Sequence, residues 1–233
     1  MRANAASRLT ARVGVLLLWA VLGMVPGVVH ATVDCNHGGI LGVSPSLERS
    51  SVPAGILVVG HDESGVADPR GTFTVTVRDL AGNPLTGRWV AVEFLPCSGV
   101  RLCTTQAAPI AEVSCGPDRS YVMGCNAPDG TFTAIIEGSG RTPTGMIGPE
   151  CMRISAQGVR LASTRFAVLD LAGSDGLGAN DLSIWLDDFG SGLHPQRSDY
   201  DFNGVLGAND FSLWLSAFGS GQSALSSGGA TCP

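Results

Sequence analysis

Twelve residues near the C-terminus carry the most specific chemistry in the chain: Asp199-Tyr200-Asp201-Phe202-Asn203-Gly204-Val205-Leu206-Gly207-Ala208-Asn209-Asp210. Side-chain oxygens stand at positions one, three and five, glycine at six, and an acid at twelve. A calcium ion takes six to eight oxygens in a flexible shell, and this spacing wraps them round one centre, with glycine where the chain must turn sharply. Asp199, Asp201, Asn203 and Asp210 are therefore the expected side-chain ligands. Val205 offers its carbonyl, and a water is expected near Gly207. The competing reading is an Asp-rich turn that holds no ion.

The stretch belongs to a repeat. Leu177-Gly178-Ala179-Asn180-Asp181-Leu182-Ser183-Ile184-Trp185-Leu186 returns as Leu206-Gly207-Ala208-Asn209-Asp210-Phe211-Ser212-Leu213-Trp214-Leu215, and Phe189-Gly190-Ser191-Gly192 returns as Phe218-Gly219-Ser220-Gly221. One fixed offset relates both pairs, which marks two copies of one structural unit. The first loop, aligned on Asp181, starts at Asp170 and is poorer. Position three is Ala172 and position six is Asp175, although a one-residue slip puts Asp175-Gly176 at five and six of a shortened loop. Asp170, Ser174, Asp175 and Asp181 are the expected ligands there, with fewer charges and so weaker binding.

Each loop feeds a short helix. Leu182, Trp185, Leu186 and Phe189 fall on one face at three- and four-residue steps, as do Phe211, Trp214, Leu215 and Phe218. Gly190 and Gly219 stand as C-terminal stops. The tryptophans read either as packing between the two helices or as a partner-binding face. Two loop-helix units placed back to back in this way resemble a type I dockerin, which implies calcium binding and docking onto a cohesin-like protein module. The repeats depart from that family in using no basic residues along the helices, where Asp187-Asp188 and Ser216-Ala217 stand. Loop positions ten and eleven, which govern recognition in the family, are Ala179-Asn180 and Ala208-Asn209. Calcium binding carries over from the resemblance more directly than cohesin binding does.

The elements before the repeats follow a different period. Phe73, Val75 and Val77 alternate with threonines, and Trp89 to Phe94, Thr131 to Glu137, Met152 to Ala156 and Ser163 to Val168 read as further strands between Gly- and Pro-rich turns. No helical period appears there. The expected fold is mainly β: an antiparallel sandwich over residues 32–168, followed by a small helical calcium-binding module over 169–221. The run Phe73-Thr74-Val75-Thr76-Val77-Arg78-Asp79, then Gly82-Asn83-Pro84-Leu85-Thr86-Gly87, resembles the bacterial Ig-like domains of the invasin and intimin type. Pro96 to Asn126, with four cysteines, departs from that pattern and reads as a loop.

At the other end, Arg2, Arg8 and Arg12 precede an apolar run from Val13 to Val29, and Val29-His30-Ala31 offers a cleavage site. This reads as a secretory signal peptide over 1–31; a membrane anchor is the alternative. Residues 222–233 read as a disordered Ser/Gly tail. After cleavage the 14 basic residues lose three, leaving 11 against 20 acids and a net charge of −9, which argues against nucleic acid or an anionic membrane as partner. The seven cysteines, all beyond the leader, read as disulfide chemistry in an oxidising compartment, with zinc-type thiolate sites as the weaker option. The nearest pairs, Cys97 with Cys103 and Cys115 with Cys125, are the expected staples, then Cys35 with Cys151, with Cys232 left over.

Catalytic chemistry is not expected. His37, His61 and His194 stand isolated in loops, no nucleophile elbow, zinc-protease or phosphate-loop pattern occurs, and His61-Asp62-Glu63-Ser64 is a run of sequence neighbours only. Three functions remain in view. The repeats attach an Ig-like module to an extracellular partner; or they are a calcium-stabilised cap on an adhesin or ligand-binding domain; or the chain is a component of polysaccharide degradation.

Overall fold

A computed structural model describes Cys35 and residues 42–62, 64–116, 120–140, 151–173, 176–193 and 195–221. The leader 1–31, the tail 222–233 with Cys232, and Ser174, Asp175, His37 and His194 lie outside the described residues. All that is described belongs to one compact unit.

The chain is mainly β. Its strands are β1 (Gly55–Val59), β2 (Phe73–Thr76), β3 (Trp89–Phe94), β4 (Val100–Leu102), β5 (Ile110–Cys115), β6 (Ser120–Cys125), β7 (Thr131–Ala134), β8 (Ile136–Gly140), β9 (Met152–Ala156), β10 (Val159–Ser163) and β11 (Arg165–Val168), followed by helices α1 (Ala179–Ser191) and α2 (Ala208–Gly219). One sheet has the order β10-β9-β3-β6-β5, a second β11-β1-β8-β4, and β2 pairs with β7. The five-stranded sheet is antiparallel throughout. In the second, β1 runs parallel to both β11 and β8. The expected all-antiparallel arrangement is thus corrected.

The reason lies in what covers β1. Along β1 and β11 successive residues point to opposite faces. Ile56, Val58, Phe166 and Val168 enter the core shared with the other sheets, while Leu57, Val59, Ala167 and Leu169 enter a second core with Trp185, Tyr200 and Trp214 of the repeats. A sheet covered on both faces is the usual setting for parallel pairing. The run Thr131 to Glu137, expected as one strand, divides at Ile135. Its first half pairs with β2, and Ile136 and Glu137 pair with β1 in a strand that continues along β4 to Gly140. The expected loop 96–126 also holds β4, β5 and β6, which extend both larger sheets.

The disulfides join Cys35 to Cys125 and Cys97 to Cys151, each with Cα atoms 5.5 Å apart. All three expected pairings are corrected. Cys97 follows β3 and Cys151 precedes β9, and the register Phe94↔Met152 brings them together. Cys115 lies opposite Ser120, so the length of β6, roughly 17 Å, separates it from Cys125. Cys103 is buried, and desolvation, with Glu137 and Asp170 nearby, pushes its pKa up to about 12. Among the described residues no helix is long and apolar enough to cross a membrane.

Candidate metal centre

The loop from Asp199 to Asp210 closes on the carboxylate at its end. Asp210 is wholly buried. Its Oδ1 accepts the backbone N–H groups of Tyr200 at 2.7 Å and Asp201 at 3.2 Å, and its Oδ2 accepts that of Gly207 at 2.8 Å. One side chain thus ties the start of the loop to the N-cap of α2. Within the loop, Asn203 donates its backbone N–H to Asp201 Oδ1 and its side-chain amide to Asp201 Oδ2, while Asn203 Oδ1 accepts from Val205 N–H. Gly204 takes φ +87°, a conformation that glycine adopts without strain.

Asp199, Asp201 and Asp210 each offer a carboxylate oxygen, and these oxygens lie within 4.8 Å of one another; they are the group of this kind found among the described residues. Asp199 is the informative member. Its Oδ2 accepts the N–H of Gly204 at 2.9 Å and Nη1 of Arg165 at 3.3 Å. Its Oδ1 is buried and has no hydrogen-bond partner. Burial raises the pKa of Asp199 above the ordinary 3.8, the Gly204 N–H works against this, and the nearby Asp210 charge adds to the rise. Three converging carboxylates and one orphaned oxygen are satisfied by a hard cation with oxygen preference, so the residues fit such an ion.

Of the expected ligands, Asp199, Asp201 and Asp210 come together. Asn203 sits beside Asp201, and the exposed side chain of Val205 leaves only its backbone for the loop. In the first loop Asp170 and Asp181 are both buried. Asp181 accepts the N–H groups of Ala172 at 2.7 Å and Gly178 at 2.8 Å, and Asp170 accepts that of Gly173 at 2.8 Å. Burial raises the pKa of Asp181. The helices split the expected apolar faces. Trp185 and Trp214 are buried, with Trp185 5.0 Å from Phe211 across the helix pair, so the packing reading of the tryptophans holds. Leu186, Phe189, Leu215 and Phe218 remain 53%, 57%, 45% and 50% exposed. Phe189 stacks on Trp185 and Phe218 on Trp214, each at 5.4 Å.

Sequence reading missed two arrangements. His61, read as isolated, meets Glu137 at 3.0 Å in a buried pair. Arg197 donates twice to Asp188 in the connection between the repeats, both contacts at 2.7 Å. Neither partner is close in spacing or pattern, so only the fold joins them. The chain matches no protein-family model, no curated protein and no solved structure.

Proposed function

We propose that the chain is a secreted calcium-binding protein in which a dockerin-like repeat pair follows an Ig-like β-sandwich and docks it onto an extracellular protein partner. The observation that carries this reading is the convergence of Asp199, Asp201 and Asp210 with one buried Asp199 oxygen unsatisfied. Asp199, Asp201, Asn203 and Asp210, with the Val205 carbonyl, hold the ion. Its charge offsets the repulsion among the carboxylates and joins the two halves of the loop. The first loop, with Asp170 and Asp181 and with Ser174 and Asp175 to add, is the weaker site.

The docking part of the proposal draws support from Leu186, Phe189, Leu215 and Phe218, large apolar residues exposed at corresponding positions of the two helices. A cohesin-like module is the partner that the dockerin resemblance implies. A second reading, a calcium-stabilised cap on an adhesin or ligand-binding sandwich, is favoured by one observation: the repeats already bury Trp185, Tyr200 and Trp214 against β1 and β11. Isothermal titration of calcium into the metal-stripped mature protein, with circular dichroism alongside, tests the ion site. Binding of one or two ions supports it, and no heat of binding overturns it. Capture of cohesin-like modules only in calcium supports docking. Calcium binding without such capture favours the cap.

A further inference from the structure

Loop two does not stand alone. Gly55 of β1 and Arg165 of β11 are direct partners in the parallel register, and both meet that loop. At Gly55 the ring of Phe202 lies so close that a methyl group would overlap it. At Arg165 the guanidinium donates from Nη1 to Asp199 Oδ2 at 3.3 Å and from Nη2 to the Phe202 carbonyl at 2.8 Å. Phe202, at loop position four, has φ +56°, a left-handed backbone that a non-glycine residue holds only with support. The ring contact and the Arg165 bond supply that support from one strand pair.

We infer that Arg165 is a positioning residue of the ion site: it turns the Asp199 carboxylate so that Oδ1 faces the other ligands, and it fixes the loop between positions one and four. The calcium loop is then completed by the β-rich part of the same chain. This rests on the reading of loop 199–210 as a calcium site. A fixed cation beside a ligand also repels a divalent ion, so the two effects oppose each other. The Arg165 side chain is 33% exposed, and water and salt screen that repulsion. The orienting bonds are local and are not lost to screening. Partners that orient a metal ligand typically change affinity by about 10- to 100-fold. A planar fork can meet a carboxylate and a carbonyl together, whereas an ammonium is a single point of charge.

The test is calcium titration into the full mature chain carrying Arg165→Gln, Arg165→Lys or Arg70→Gln. Arg70 is the control. It binds α2 through the Leu213 carbonyl at 3.3 Å and Ser220 Oγ at 3.0 Å but touches no ligand. Weakening by about tenfold in both Arg165 variants, with Arg70→Gln within about twofold of wild type, is the expected result. Retained affinity in Arg165→Lys, or tighter binding in Arg165→Gln, shows that only charge matters and overturns the inference. Equal weakening in all three variants assigns the effect to general docking and overturns it too. Thermal unfolding in calcium-free buffer identifies a variant that has lost its fold; if Arg165→Gln does so, Arg165→Lys carries the comparison. Absence of binding in the wild-type chain defeats the calcium reading itself, a distinct outcome.

Discussion

The two repeats share a sequence frame and differ in what they place inside it. In both, the acid at position twelve is buried and clamps the same two backbone groups. Asp181 takes the N–H of Ala172 and Gly178, and Asp210 takes that of Asp201 and Gly207, which are corresponding positions. The closing acid therefore builds the loop whether or not position three carries a ligand. The loops differ in their first half, where Asp201 of loop two corresponds to Ala172 of loop one. The helices diverge as well. Asp188 of α1 is buried against Arg197 and Ser198, whereas its counterpart in α2 is the buried Ala217. The first helix carries a buried ion pair to the connection at this position, where the second carries a buried apolar residue.

That contrast can be broken at Asp188 first. Asp188→Ala leaves the buried Arg197 guanidinium without its carboxylate and is expected to cost about 3–5 kcal/mol in chemical denaturation. Adding Arg197→Met should restore most of the loss, because a buried ion pair contributes little over apolar residues of similar volume. A single-variant cost under about 1 kcal/mol would remove the distinction between the repeats. Next in size, Asp199→Ala is expected to weaken calcium binding about 100-fold, or about 2.7 kcal/mol, by titration calorimetry. Asp170→Ala should change it by less than about tenfold. Equal losses would mean that loop one is the equal of loop two.

The shared frame predicts the opposite pattern at position twelve. Asp181→Ala and Asp210→Ala should each lower calcium-free stability by about 1.5–3 kcal/mol, the range for hydrogen bonds to charged groups, and by similar amounts. The smallest effect is on pH dependence. Asp181 and Asp199 have raised pKa values, so at these two residues the folded calcium-free state holds more protons than the unfolded one. Their contribution is fully present below 3.8 and is lost as pH rises through the raised values. Saturating calcium, which needs the carboxylates ionised, should reverse that slope in thermal unfolding measured across acid pH.

Legibility in the sequence followed from how each element is covered. β3 and β9 bury alternate residues, and both were readable to the residue from their period of two. β1 is buried along nearly its whole length and β8 throughout, so neither shows alternation, and the Gly-Ser-Gly end of β8 lacks strand-forming residues. The helices announced themselves by apolar spacing, yet their stripe is wider than the contact they make, which is why Leu186 and Phe189 emerge exposed. The convergence of Asp199, Asp201 and Asp210 was readable because these residues are local in sequence. Arg165, His61 with Glu137, and the disulfide pairing depend on strand register and were not.

The doubly covered sheet also sets where the molecule opens last. Amide hydrogens in the middle of β1 are bonded within the sheet and shielded by an apolar layer on either side. Slow exchange with deuterated solvent is expected there, and loosening of the repeats from the strands should speed it. The protection of Leu57 and Val58 is thus a gauge, placed far from the repeats in sequence, of how firmly they are held against the sheet.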